Sequence, residues 1–126
     1  KKPLSNMCPL IALKNGQPVL CLGASGGRKI LPSVFQIALY VEKFSMTLQA
    51  ALAYPRTDVS TLDKIVYDPR FSDSTTAELK KLAPLKMWPP TAFPSAYAVP
   101  SGIHITDGIA SGAAHPFSPL AAAVAC

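Results

Sequence analysis

The chain is poor in the residues that build most recognisable active sites. Its only histidines are His104 and His115, and neither has a serine, cysteine or carboxylate at a telling spacing, so both are expected to be structural or surface groups. Its three cysteines, Cys8, Cys21 and Cys126, are an odd number with no C-x-x-C pair and no histidine cluster nearby. That pattern excludes a zinc site and a complete disulfide framework. Cys8 and Cys21 lie in apolar runs and are expected to be core thiols. Asp58, Asp63, Asp68 and Asp107 lack the close, Glu-terminated spacing of a calcium loop, so no metal site is expected.

Long hydrophobic runs are also missing. None approaches the roughly 20 residues of a membrane span, and Lys1-Lys2-Pro3 is not followed by the apolar stretch of a signal peptide. No membrane segment is expected, and the start is expected to be a cut end. Charged residues are only 15% of the chain. The net charge of +5 is carried by Lys and Arg spread in pairs, with few aromatics between them, which argues against nucleic-acid binding.

What the chain does have is apolar content. Hydrophobic residues make up 49% of its 126, enough to exclude disorder and more than one small domain would hide, which points to a partner chain. No repeat or linker divides it, so one domain or part of one is expected.

The most informative stretch runs from Val19 to Ile30. A β-rich run stops at Gly23, three glycines fall between Gly23 and Gly27, and a helical pattern begins after Ile30. Glycines at such a junction permit positive φ and leave backbone amides uncovered. Amides near a helix start also lack acceptors, so they suit an anion or a developing oxyanion, although a tight turn with no ligand has the same sequence. A Walker loop would need Lys-Ser/Thr after the last glycine, where Arg28-Lys29-Ile30 stands; Gly23, Gly26 and Gly27 do not fit G-x-G-x-x-G either.

Around that junction, Leu10 to Leu13 and Pro18 to Leu22 flank Asn15-Gly16 and predict a hairpin. Pro32 fits the first turn of a helix whose apolar residues Val34, Phe35, Ile37, Ala38, Leu39 and Val41 imply burial on most sides. Thr47 should cap a short helix through Ala53, ended by Pro55. Lys64 to Tyr67 reads as a strand, and Thr75-x-x-Glu78 as the capping box of a helix ending near Leu82, with Glu78, Lys80 and Lys81 solvated. Prolines then leave room only for short strands at Leu85 to Trp88, Ala96 to Val99 and Ile103 to Ile105. The alanine-rich tail from His115 to Cys126 is expected to form a last short helix.

Pro3-Leu4-Ser5-Asn6-Met7-Cys8-Pro9 and Gly23-Ala24-Ser25-Gly26-Gly27-Arg28-Lys29-Ile30 resemble the P-L-S-S-M-C/S-P and G-x-x-G-G-x-x-I motifs of the γ-glutamyltransferase family. Phe44-Ser45-Met46-Thr47-Leu48-Gln49-Ala50-Ala51 and Ala53-Tyr54-Pro55-Arg56 are similar to its F-G-M-x-L-Q-E-A and A-P-R. The resemblance implies an α+β fold, part of the αββα sandwich of the N-terminal nucleophile hydrolases. It implies a precursor that cuts itself into two subunits, residues 1–126 being the carboxy-terminal portion of the small, catalytic one.

By the same resemblance, the paired Gly26 and Gly27 match the glycines whose amides form the oxyanion hole. Ser5 matches the first of two serines that hold the α-carboxylate end of a γ-glutamyl donor, and Asn6 stands where the second would be. The nucleophilic Thr and the large subunit would belong to companion chains, the acyl acceptor would be water or an amine, and no cofactor or metal is implied. A periplasmic or secreted location is common in the resembled family. Asn6 and the cations Arg28 and Lys29 keep open an acylase or amidase for another acyl group, and the lack of a terminal Thr keeps open a non-catalytic homologue.

Overall fold

The computed structural model describes residues 6–89, 97–119 and 121–124. β1 (Leu10–Lys14) and β2 (Gln17–Ser25) form the hairpin that Asn15-Gly16 predicts, with both turn residues at positive φ, 52° and 78°. The second strand does not stop at Gly23 but carries its pairing on to Ser25. A 3-10 turn at Gly27–Lys29 then leads directly into α1 (Ile30–Phe44). The chain continues through α2 (Leu48–Ala53), β3 (Thr57–Asp58), β4 (Ile65–Tyr67), α3 (Asp73–Leu82), β5 (Leu85–Met87), β6 (Val99–Thr106) and β7 (Ile109–Ala114).

Four strands form one antiparallel sheet in the order β1-β2-β6-β7. Its last hairpin is wider than the sequence predicts. Instead of a single strand at Ile103 to Ile105, two strands meet at Asp107-Gly108, again with positive φ at both turn residues, 52° and 78°. β7 is built of Ala, Ser and Gly after its first residue, side chains that carry little β signal of their own.

One face of this sheet is the core. Leu20 and Leu22 are buried against Ile30, Val34, Ile37 and Val41 of α1 and Leu48, Ala51 and Leu52 of α2, with Ala113 at the far strand. Removing such side chains from water stabilises the fold by roughly 1.5–3 kcal/mol each. Gly102 pairs with both Leu22 and Ala113 on that row, and a Cβ there would come within 2.5 Å of the Leu22 side chain. α1 buries one stripe and not most of its surface: Phe35 is 59% exposed and Leu31 62%. The reason is geometric, since residues 30, 34, 37 and 41 follow the 3.6-residue period and form the stripe that faces this sheet and α2.

The opposite face, reached by the alternate residues, is largely exposed, with the tail at Ala123 approaching it only beside Gly112. Ile11 and Ile103 flank Cys21 in register and stand 68% and 47% exposed, with Leu13 63% exposed on the same side of β1. Cys21 is thus half-buried on this face and not in the core as expected, whereas Cys8, also half-buried, packs against the core; Cys126 lies outside the described residues.

A second sheet, in the order β3-β4-β5, pairs β4 and β5 in parallel, with α3 as the crossover between them. The N-cap of α3 lies three residues before that of the expected capping box. Ser72 is the N-cap, its Oγ accepting from Thr75 N at 3.2 Å, while Glu78 lies on the exposed face and pairs with Lys81 at 2.6 Å. α2 is capped as expected, Thr47 Oγ1 accepting from Ala50 N at 3.2 Å.

Two further expectations fail. Ala96 lies outside the described residues, and the strand expected over Ala96 to Val99 begins only at Val99, because Ala98 is in the left-handed region at φ 63°. Among the described residues of the tail there are turns and no helix: Ser118 N donates to His115 O and Ala121 N to Ser118 O. Pro116 and Pro119 remove donors and disfavour helical backbone at the residue before each.

Candidate functional site

The junction between β2 and α1 is built by two glycines in conformations that residues with a Cβ avoid, Gly26 at φ 147° and Gly27 at φ 62°. Both are exposed. Their carbonyls are engaged, Gly26 O accepting from Lys29 N at 3.3 Å and Gly27 O from Ile30 N. Their amides have no acceptor among the described residues. The 15-residue α1 starts immediately beyond, with no side-chain cap and no acid in its first turn, so its positive end is left uncompensated at the same place.

The two glycines have different reasons for being glycine. A Cβ on Gly27 would meet nothing within 4 Å, so only its backbone angle demands glycine. A Cβ on Gly26 would stand 2.7 Å from the Cβ of Ala98 and 2.8 Å from its Cα, so there contact forbids it. Beside the loop, Lys29 turns its ammonium onto the indole of Trp88, 5.2 Å from the ring centroid, and Lys86 approaches the same ring at 5.9 Å.

Asn6 is exposed and makes no hydrogen bond among the described residues. It lies in the segment that leads into β1. Leu10 pairs with Leu22 and β2 runs on to Ser25, so this segment is at the same end of the sheet as the glycine junction. Ser5 lies outside the described residues. The structure thus brings Gly26, Gly27 and the approach to β1 to one end. A cleft of 710 Å³ lined by Glu42, Thr47, His104 and Asp107 opens elsewhere and does not include the glycines. Among the described residues no group of three or more His, Cys, Asp and Glu side chains gathers as a metal site would.

Sequence reasoning gave no role to a buried polar cluster between α2, the second sheet and the ends of β6 and β7. Arg56 is 3% exposed and donates from Nη1 to Leu52 O at 2.8 Å. Burial pulls its pKa down to about 10, so it remains a cation at neutral pH. Asp68 donates its backbone N to Arg56 O, and its carboxylate takes Arg70 Nη2 at 2.6 Å. Burial alone would raise Asp68, but the Arg70 hydrogen bonds outweigh it and its pKa is lowered. Arg70 also donates to Ala53 O at 2.8 Å and lies over the Phe117 ring. Tyr97, buried beside this group, has its phenol pushed up by burial. His115 is 2% exposed, and burial, with Arg56 and Arg70 adding, lowers its pKa to about 4, so it is neutral. The only sequence signal was Arg56 in Ala-Tyr-Pro-Arg; the others are far apart along the chain.

Two exposed amides without acceptors at a helix start can hold an anionic oxygen, or one that forms during a reaction. Residues 1–125 match the family model described as Gamma-glutamyltranspeptidase. The chain belongs to that family. It is 40% identical over 68 residues to the glutathione hydrolase proenzyme of Bacillus subtilis (strain 168), a match covering 54% of this chain and 12% of that protein.

Among solved structures, the γ-glutamyltranspeptidase of Pseudomonas nitroreducens complexed with L-DON superposes with a TM-score of 0.79 at 27% identity, covering all of this chain and 65% of that one. The Helicobacter pylori γ-glutamyltranspeptidase T380A mutant gives a TM-score of 0.79 at 26% identity, over 94% of this chain and 64% of the other. The fold is the mixed α and β fold of these N-terminal nucleophile hydrolases, and the family is one of transferases and hydrolases. The chain spans 12% of the length of the Bacillus subtilis protein and 65% of the matched Pseudomonas nitroreducens chain.

Proposed function

We propose that residues 1–126 are the carboxy-terminal portion of the small, catalytic subunit of an enzyme that cleaves γ-glutamyl amides, and that Gly26 and Gly27 supply its oxyanion hole. In this reading a threonine at a free amino terminus, on a companion chain, attacks the amide carbonyl. The carbonyl oxygen gains negative charge as the tetrahedral intermediate forms, and the two amides hydrogen-bond it more strongly than they bond the neutral carbonyl. Collapse breaks the amide C–N bond, releases the amine with the proton that the threonine hydroxyl gave up, and leaves an acyl-threonine, which water or an amine then takes apart. Ser5 and Asn6 would hold the α-carboxylate end of the donor; serine and asparagine both donate to a carboxylate, with asparagine reaching further.

The observation that carries this proposal is a pair of consecutive, exposed amides without acceptors among the described residues, ahead of a helix with no side-chain cap, in a chain of this family. The test is to incubate the assembled protein with γ-glutamyl and glutaryl amides and weigh the trapped acyl-enzyme. A glutamyl adduct on a terminal threonine is expected. A glutaryl adduct alone would favour the acylase that Asn6 suggests, and no adduct would favour a non-catalytic homologue.

A further inference from the structure

Gly27 is suspended between two contacts. On one side Gly26 lies so close to Ala98 that no Cβ fits between them, and on the other Lys29 rests on Trp88. The two supports are neighbours, since Trp88 packs with Val66 and with Tyr97, the residue before Ala98. Ala98 is 0% exposed and is fixed from its other side, since Val99 pairs with Ser25 and Pro100 with Ala24. Pro100 O in turn accepts from His115 N at 3.0 Å.

Ala98 holds this place at φ 63°, a conformation costly for a residue with a Cβ and free for glycine. A glycine would relieve that backbone, but alanine adds a side chain there. What it contributes is the methyl group under Gly26.

We propose that Ala98 is a positioning residue: its methyl is the floor that sets the direction of the Gly26 and Gly27 amides. The geometric claim stands on packing alone, and its catalytic meaning rests on the oxyanion reading above. Without the methyl, the Gly26 backbone gains room to settle and rotate, and both amides turn away from where the oxyanion forms. Misplacement by about 1 Å at such a site costs on the order of a hundredfold in rate.

The experiment compares Ala98→Gly and Ala98→Ser in the assembled protein by crystal structure, thermal midpoint and steady-state kinetics on a chromogenic γ-glutamyl anilide. Ala98→Gly should show a displaced or disordered Gly26-Gly27 peptide. Its kcat should fall on the order of tenfold to a hundredfold, with KM within about twofold and the midpoint within a few degrees. Ala98→Ser keeps the Cβ and should keep kcat.

A Gly26-Gly27 peptide that stays in place in Ala98→Gly overturns the proposal, whatever the activity. So does a loss of kcat that tracks the thermal midpoint and appears equally in Ala98→Ser, because that describes a merely structural residue. A displaced peptide with undiminished kcat leaves the floor standing and overturns the oxyanion reading instead.

Discussion

The side chain of Gln36 pairs with the backbone of Thr57 as a neighbouring strand would. Gln36 Nε2 donates to Thr57 O at 2.8 Å, and Gln36 Oε1 accepts from Thr57 N at 2.9 Å. A second bond from Nε2 to Pro32 O, also 2.8 Å, locks the amide against its own helix. One side chain therefore stitches the start of the second sheet to α1. Gln36→Leu keeps the volume and orphans both Thr57 groups. Each unmet group costs about 1–3 kcal/mol, so denaturant unfolding of the assembled protein should show a loss of about 2 kcal/mol or more. An unchanged midpoint would mean that water replaces the amide at no cost.

Gly27→Val should raise the reaction barrier by about 2.7–4 kcal/mol if one oxyanion donor is lost or turned away. A Cβ at this position meets nothing, so the variant should still fold, with a strain cost of about 1–2 kcal/mol from the positive φ. The measurement is kcat/KM of the folded assembly. Turnover equal to that of the unsubstituted protein contradicts the assignment.

His115 should make the protein acid-sensitive. Its folded pKa of about 4 lies below the ordinary 6.5, so between those values the unfolded chain binds more protons than the folded one. The stability is complete above pH 6.5, falls as the pH drops through the window and is lost below about 4. At about 1.4 kcal/mol per unit, the whole effect is at most about 3 kcal/mol. His115→Gln should flatten the dependence of the thermal midpoint on pH across that window. An equally steep profile would assign the acid sensitivity to other groups.

Ser72→Ala should cost about 1 kcal/mol by removing the cap of α3. Thr75→Ala should cost less, because Thr75 contributes its backbone N–H to that cap. The opposite order in thermal unfolding would place the helix start where the capping box predicts it.

Legibility follows how local each cause is. Asn15-Gly16, Thr47 and the glycines after β2 act within a few residues, so the hairpin, the capped α2 and the strand–loop–helix junction are all visible in sequence. Asp107-Gly108 is an equally local signal, yet β7 is made of side chains so small that no strand pattern supports it. The start of α3 is ambiguous because Ser72 and Thr75 offer competing caps only three residues apart. Arg56, Asp68, Tyr97 and His115 meet only after both sheets are in place, and the approach of Ala98 to Gly26 follows from the pairing of β2 with β6. No spacing rule reaches across such distances. The motif resemblance points to a candidate site because it carries information that pattern and propensity do not.

The exposed strip of Ile11, Leu13 and Ile103 has a practical corollary. Produced by itself, this polypeptide would offer neighbouring copies a flat, adhesive surface bordered by the unpaired backbone of β1, and poor solubility in isolation would be the natural result. Yield and homogeneity should improve if Ile11 and Leu13 are replaced by polar residues, which break that surface.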